Sequence, residues 1–139
     1  MITGIGHMAI TCQDIDQSLD FYTRILGLPE AFRMVNDDGS LWMVYLRTGG
    51  GAFVELFTGG GARPEAPGNA SGFKHLCLWV EDIEATLRDL QARGLDVDPG
   101  GIRTGRSTCR QYFIADPDGV RIERMPLMPQ ALQAQALND

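Results

Sequence analysis

Apolar and polar positions alternate over residues 5–12 and again over 74–80, and alternation of this kind predicts half-buried β-strands. Met8, Ile10 and Cys12 share one face of the first strand, with His7, Ala9 and Thr11 on the other. Leu76, Leu78 and Val80 oppose His75, Cys77 and Trp79 in the second. After each strand the period lengthens. Ile15, Leu19, Tyr22 and Leu26 recur at helical spacing behind Asp14, an N-cap with Gln17 three residues on, and Gly27 can close the helix. A second helix starts at Asp82, buries Ile83, Leu87 and Leu90, and stops at Gly94. Strands follow at 41–47 and 51–58 around Gly49-Gly50-Gly51, and at 109–115 and 119–125 around Asp116-Pro117-Asp118-Gly119, whose Pro and Gly suit a tight turn. The pattern also predicts a short strand near 31–36, with a weaker counterpart near 95–98.

The halves are one pattern written twice. Gly6-His7-Met8-Ala9-Ile10-Thr11-Cys12-Gln13-Asp14-Ile15 overlays Lys74-His75-Leu76-Cys77-Leu78-Trp79-Val80-Glu81-Asp82-Ile83 at an offset of 68 residues, His on His, Asp on Asp and Ile on Ile. The same offset carries Leu19 to Leu87 and Gly51-Ala52-Phe53-Val54-Glu55 to Gly119-Val120-Arg121-Ile122-Glu123. Each module therefore reads β-α-β-β-β, and the expected fold class is α+β. Residues 1–58 make the first module, 59–72, rich in Gly, Pro and Ala, a linker, and 73–126 the second module. Residues 127–139 form a C-terminal tail, as a short helix or a frayed end that can cover a partner subunit. The 139 residues suffice for one domain with a real core.

Charge and composition remove some classes of function. A net charge of −6 argues against nucleic acid as a partner, because such binders carry basic patches. No apolar run is long enough to cross a bilayer, so no membrane partner is expected. The start leads straight into a strand-like segment without a basic and apolar leader, which makes the cytoplasm the expected location. Cys12, Cys77 and Cys109 are odd in number and widely spaced, as fits reduced thiols.

The candidate chemistry lies at the repeat. Both histidines of the chain occupy its matched positions, each on the strand face turned away from the helix. Glu55 lies among Phe53 and Phe57, and Glu123 among Arg121 and Met125. A carboxylate inside an apolar strand costs several kcal/mol if buried unpaired, and no pair of cations recurs at the repeat offset to balance these two. A lone strand histidine is most often structural, and a lone strand glutamate most often faces solvent. Two of each at one offset favour a shared divalent metal held by His7, Glu55, His75 and Glu123. Two imidazole nitrogens and two carboxylates suit nickel, zinc, cobalt, iron or manganese.

Several neighbours keep two readings each. If the Asp116–Gly119 turn closes a regular hairpin, Tyr112 lies across from Glu123, where its hydroxyl can hold substrate or the ring can simply pack. Arg103, Arg106 and Arg110 gather near the loop before that strand, as a solvated group or as an anion-binding one. Phe53, Phe57 and Trp79 can wall a pocket or fill a core, and Cys77 can sit between ligands or be an inert buried thiol.

These segments resemble the vicinal oxygen chelate superfamily, which includes glyoxalase I, methylmalonyl-CoA epimerase, extradiol dioxygenases and fosfomycin- and bleomycin-resistance proteins. The resemblance runs from Gly6 to about Pro126. It rests on Gly-His-Met-Ala-Ile at 6–10, Leu-Asp-Phe-Tyr-Thr-Arg-Ile-Leu-Gly-Leu at 19–28, Phe-Val-Glu-Leu-Phe at 53–57, Lys-His-Leu-Cys-Leu-Trp-Val at 74–80 and Asp-Pro-Asp-Gly-Val-Arg-Ile-Glu at 116–123. It implies paired βαβββ modules in a half-open, mostly antiparallel barrel with helices on the outer face. It also implies a homodimer, with metal ligands drawn from one chain or two. The ligand set is most similar to glyoxalase I, which implies a lyase or isomerase moving a proton through a metal-bound enediolate of a small vicinal-oxygen substrate. Glu123 is then the first choice of base, and Glu55 a ligand and second proton carrier. Glyoxalase I places an arginine four residues after its first ligand and commonly an asparagine four after its second. Thr11 and Gly59 stand there instead, so little turnover of the glutathione hemithioacetal is expected, and Thr11 becomes a candidate substrate contact. An epimerase, an extradiol-type dioxygenase or a non-catalytic resistance protein are the alternatives that the superfamily leaves open.

Overall fold

A computed structural model of the chain describes residues 1–62, 64 and 70–137. The chain divides into two compact units, Met1–Pro67 and Gly68–Asp139. The expected linker at 59–72 lies partly outside the described residues.

The first unit runs β1 (His7–Thr11), α1 (Ile15–Asp20), β2 (Glu30–Val35), β3 (Leu41–Arg47) and β4 (Phe53–Phe57). Its sheet has the order β1-β4-β3-β2, with β1 parallel to β4 and the other pairs antiparallel. The second unit repeats this with β5 (Leu76–Trp79), α2 (Ile83–Ala92), β6 (Arg103–Thr104), β7 (Arg110–Ala115) and β8 (Arg121–Met125) in the order β5-β8-β7-β6. Two open, mixed, mostly antiparallel four-stranded sheets with few helices make the α+β class expected from the repeat.

Both helices begin where their caps require. The Asp14 carboxylate accepts from the backbone N–H groups of Asp16 and Gln17 at 3.0 and 3.1 Å, and Gln17 Nε2 donates back at 3.0 Å. Asp82 accepts from Ala85 N at 2.9 Å. The first helix does not stay α-helical to Gly27. After Asp20 it widens into a π turn, Phe21–Ile25, in which Leu26 N donates to Phe21 O at 2.9 Å. The wider turn accompanies burial of the adjacent Phe21 and Tyr22, whose rings meet edge-on at 5.4 Å.

The weak strand expected at 95–98 is absent, and β6 at 103–104 takes its place. Asp98 caps a short 3-10 turn through Pro99–Gly101, and its own N–H donates to the Tyr112 hydroxyl at 3.0 Å. That donor is satisfied by a side chain, so the segment needs no ladder. The C-terminal tail forms α3 (Leu132–Ala136). Ala131 and Ala134 pack against Cys109 and Met125 of the second unit, with Cys77 and Met128 beside them. None of the three cysteines forms a disulfide. Among the described residues, no helix is long and apolar enough to cross a membrane.

Candidate functional site

Strand alternation delivers the histidines and glutamates to the face it predicted. On β1, His7, Ala9 and Thr11 are exposed, whereas Met8 and Ile10 are half-buried and Cys12 is fully buried. Phe53, Glu55 and Phe57 share one face of β4, and Val54 and Leu56, both 0% exposed, fill the other. Parallel pairing of β1 with β4 sets Ala9 beside Glu55 and His7, two residues earlier on the same face, beside Phe53. His7 Nδ1 comes to 3.3 Å from Glu55 Oε1. Glu55 is only 4% exposed, and its buried Oε1 has no hydrogen-bond partner despite that approach. The geometry between the two is therefore a close facing of imidazole and carboxylate, not a formed hydrogen bond.

The second unit repeats the pair with different neighbours. His75 stands one residue before β5, and its Nε2 lies 3.0 Å from Glu123 Oε2. Glu123 is 6% exposed. Cys77 takes the position of Ala9, directly beside Glu123 in the β5–β8 register. Burial, then the Glu123 charge and a hydrogen bond to that carboxylate, pushes the Cys77 thiol up to about 12. Cys77 is therefore a neutral thiol beside Glu123 at ordinary pH, as an inert one would be.

Across the antiparallel partner the units diverge. Tyr45 of β3 lies opposite Glu55, and Phe113 of β7 lies opposite Glu123. The Tyr45 hydroxyl is held above its ordinary pKa, first by a hydrogen bond to Glu55, then by burial and by the glutamate's charge. Phe113 meets His75 edge-on at 5.3 Å and carries the Arg121 guanidinium 4.5 Å above its ring.

Two sequence expectations fail here. Tyr112 is not across from Glu123: it pairs with Arg124, one step off, and so faces the other side of the sheet. The cause is the turn. Asp116 N donates to Val120 O at 3.0 Å, closing the hairpin about Asp118, half a residue beyond the midpoint of the Asp116–Gly119 turn, and a one-residue change of register reverses every face. Arg110 shares the Tyr112 side of β7 and pairs with Glu84 of α2, so it points to the helix and away from Glu123. Arg103 donates to the backbone oxygens of Gly100 and Ile102 in its own loop. Phe53 and Phe57 flank Glu55 half-buried, meeting Tyr45 and Trp42 edge-on at 5.7 and 5.8 Å. Trp79 and Thr11 are exposed, on the Cys77 and His7 faces respectively.

Tyr45 is the residue that the sequence pattern passed over. A signal for it existed: folding 41–47 onto 51–58 about Gly50 puts Tyr45 opposite Glu55. Among the described residues, no group of three or more His, Cys, Asp and Glu side chains is assembled to hold a metal ion. Each unit supplies one imidazole–carboxylate pair. A buried carboxylate oxygen without a hydrogen bond, facing a nitrogen ligand, is a donor set that fits a divalent cation.

Comparison with known proteins agrees with the fold. A sequence model of the Glyoxalase/Bleomycin resistance protein/Dioxygenase superfamily matches residues 4–124. A probable lactoylglutathione lyase of Vibrio cholerae is 33% identical, with 86% of this chain and 87% of the relative covered. A 2-epi-5-epi-valiolone epimerase of Actinomyces is 30% identical over 88% of this chain and 79% of the relative. The crystal structure of a glyoxalase family protein from Enterococcus faecalis superposes with a TM-score of 0.73 at 27% identity, covering 88% of this chain and 96% of that one.

Proposed function

The chain belongs to the Glyoxalase/Bleomycin resistance protein/Dioxygenase superfamily, and on that premise we propose that it is a glyoxalase I-like, metal-dependent lyase or isomerase. Its substrate is a small molecule with oxygens on adjacent carbons, between which a proton is moved. One observation carries the proposal: each unit buries a carboxylate against an imidazole at the same place in the repeat.

His7, Glu55, His75 and Glu123 would together hold one divalent ion, nickel, zinc, cobalt, iron or manganese, with the pairs drawn from one chain or from two copies in a homodimer. When bound, the metal supplies Lewis acidity toward vicinal oxygens. The rest falls to side chains. Glu123 takes the proton from carbon as general base, set between Cys77 and Phe113 of the two neighbouring strands. The half-buried Phe53 and Phe57 give the Glu55 side an apolar wall, suited to excluding water from a small substrate.

Metal loading tests this directly. Apo protein dialysed against each metal should retain about one ion per chain by elemental analysis, and its Tm should rise with metal concentration as binding to the folded state requires. The His7→Ala and His75→Ala variants should each lose both effects. Equal retention by wild type and both variants would overturn the ligand assignment. Turnover is then followed as deuterium uptake from D2O into a panel of α-hydroxycarbonyl compounds and the methylglyoxal–glutathione hemithioacetal, the latter expected to be slow because Thr11 and Gly59 carry no group to hold glutathione. Arg110→Ala should leave turnover within about twofold of wild type, since a half-exposed pair with Glu84 contributes little. A large loss would bring Arg110 back as an anion contact.

An epimerase is the second reading, favoured by the Actinomyces relative. It uses the same proton abstraction, and inversion at carbon without rearrangement of the product would distinguish it.

A further inference from the structure

The two units part after their last strands. In the first, the chain leaves β4 and passes the end of β1: Gly60 N donates to Cys12 O at 2.9 Å, and a Cβ at Gly60 would come within 2.7 Å of that oxygen. The face that carries Glu55 stays open there, with Thr11 exposed and Phe57 half-buried. In the second, the chain leaves β8 and folds back over the sheet. Register and alternation put Cys77 and Trp79 of β5 and Glu123 and Met125 of β8 on one face. Met125 holds the place of Phe57 at the repeat offset, yet it is only 5% exposed. Ala131 and Ala134 of the tail cover it together with Cys109, and Cys77 and Met128 pack against the same cluster.

We propose that the tail, residues 126–137, is a specificity-determining wall of the site. It roofs the second unit's ligand face one side chain away from Glu123 and confines the substrate to small groups on that side. This role rests on the placing of Glu123 in the site given above and deepens it. Cys77 is the link: it lies beside Glu123 in the strand register and against the roof in the packing. Trp79 remains exposed, so the roof stops short of the end of β5.

The roof is fastened by three successive residues of the loop before β7. Leu132 N donates to Ser107 O at 3.3 Å, the Thr108 hydroxyl to Gln130 O at 3.3 Å, and Cys109 Sγ to Gln133 Oε1 at 3.7 Å. All three bonds are long. Thr108 adopts a φ of +66°, rare outside glycine, where its hydroxyl reaches the tail. The buried side of α3 offers only alanines, and Leu132 and Leu137 are exposed. Few buried apolar contacts and weak fastenings make a segment that a single replacement can release without unfolding the sheet.

The test uses Ala134→Asp, which forces a charge under the roof, and the milder Thr108→Gly, which removes one fastening while suiting the backbone, both as full-length chains. Alkylation of the fully buried Cys109 by iodoacetamide is followed by mass spectrometry, with Cys12, fully buried in the first unit, as internal control. Ala134→Asp should raise the Cys109 rate about tenfold or more, as a displaced local opening equilibrium does, and Thr108→Gly should raise it less, with Cys12 unchanged in both. Cobalt(II)-loaded protein is then titrated with acetohydroxamate and benzohydroxamate, chelators with oxygens on adjacent atoms that differ in carrying a methyl or a phenyl group. Opening the roof should shift the ratio of their dissociation constants about tenfold toward the phenyl compound, the scale on which pocket walls discriminate. Unchanged Cys109 labelling in both variants overturns the roof, and faster labelling at an unchanged hydroxamate ratio overturns its role in specificity. Both outcomes leave the metal reading standing. Equal acceleration at Cys12 and Cys109 in Thr108→Gly would show that the tail opens only with the whole fold, which overturns the proposal as well. A wild-type chain that takes up no cobalt overturns the metal reading, and the specificity role with it.

Discussion

Glu123→Gln is expected to lower turnover by at least about 100-fold while metal is still retained, the largest loss for any single replacement that keeps side-chain volume. General base catalysis contributes about 10²–10⁴ in rate, and the amide cannot accept the proton at neutral pH. The change is nearly isosteric, and Glu123 lies between Cys77 and Phe113, neither of which depends on its charge for packing. The fold should therefore survive. On the proposed assignment His7, Glu55 and His75 remain as ligands, and the amide oxygen can still donate electrons, so occupancy should fall without vanishing. The measurements are deuterium uptake under saturating metal, with metal content determined on the same sample. Glu55→Gln gives the counterpart: a larger loss of metal affinity than of rate per metal-loaded site, because Glu55 is proposed as a ligand and Glu123 as the base. Undiminished exchange in Glu123→Gln would remove it as the base and turn attention to Glu55.

The fold was legible because two independent periodicities agreed. Period-2 alternation at His7–Thr11 and Leu76–Trp79 fixed which face each histidine takes, and the 68-residue offset tied each histidine to a glutamate. Caps at Asp14 and Asp82 marked the helix starts through interactions local in sequence. What escaped was set by single-residue details of turns. The hairpin of the first unit centres on Gly50, where Thr48 N donates to Ala52 O at 3.0 Å. Its repeat partner centres on Asp118, one full offset later. Turn residues alone permitted a centre half a residue earlier, which exchanges Phe113 for Tyr112 and brings Arg110 to the wrong side. Carrying the Gly50 centre forward through the repeat would have placed Phe113 across from Glu123 and drawn Tyr45 into the site. The β6 strand could not be foreseen in the same way. Its two residues pair with Gln111 and Arg110 of β7, while the Asp98 N–H donates to the Tyr112 hydroxyl fourteen residues on, contacts that local pattern does not encode.

Asp116→Ala should be the most damaging substitution to stability among the residues that shape the site without touching it, with a loss of about 2–4 kcal/mol in urea unfolding of the apo protein. Asp116 is 5% exposed, and its Oδ1 accepts from Asp118 N at 2.9 Å and from the buried Val120 N at 2.7 Å. Alanine orphans both donors, one of them out of reach of water, and an unsatisfied buried donor costs about 1–3 kcal/mol. Asp116→Asn keeps an acceptor oxygen and should lose roughly 1 kcal/mol, the difference between a charged and a neutral acceptor. Apo protein is required because bound metal would mask part of the loss. The carboxylate also holds the five-residue closure that sets the β7–β8 register, together with Gly119, whose φ of +78° suits glycine. Weakening it lets Tyr112 compete with Phe113 for the place beside Glu123. Asp116→Ala should therefore lose turnover beyond its unfolded fraction, and Asp116→Asn should not. Equal stability of the alanine variant and the wild type would mean that the backbone alone closes this turn, and that the order of faces around Glu123 is held by the sheet.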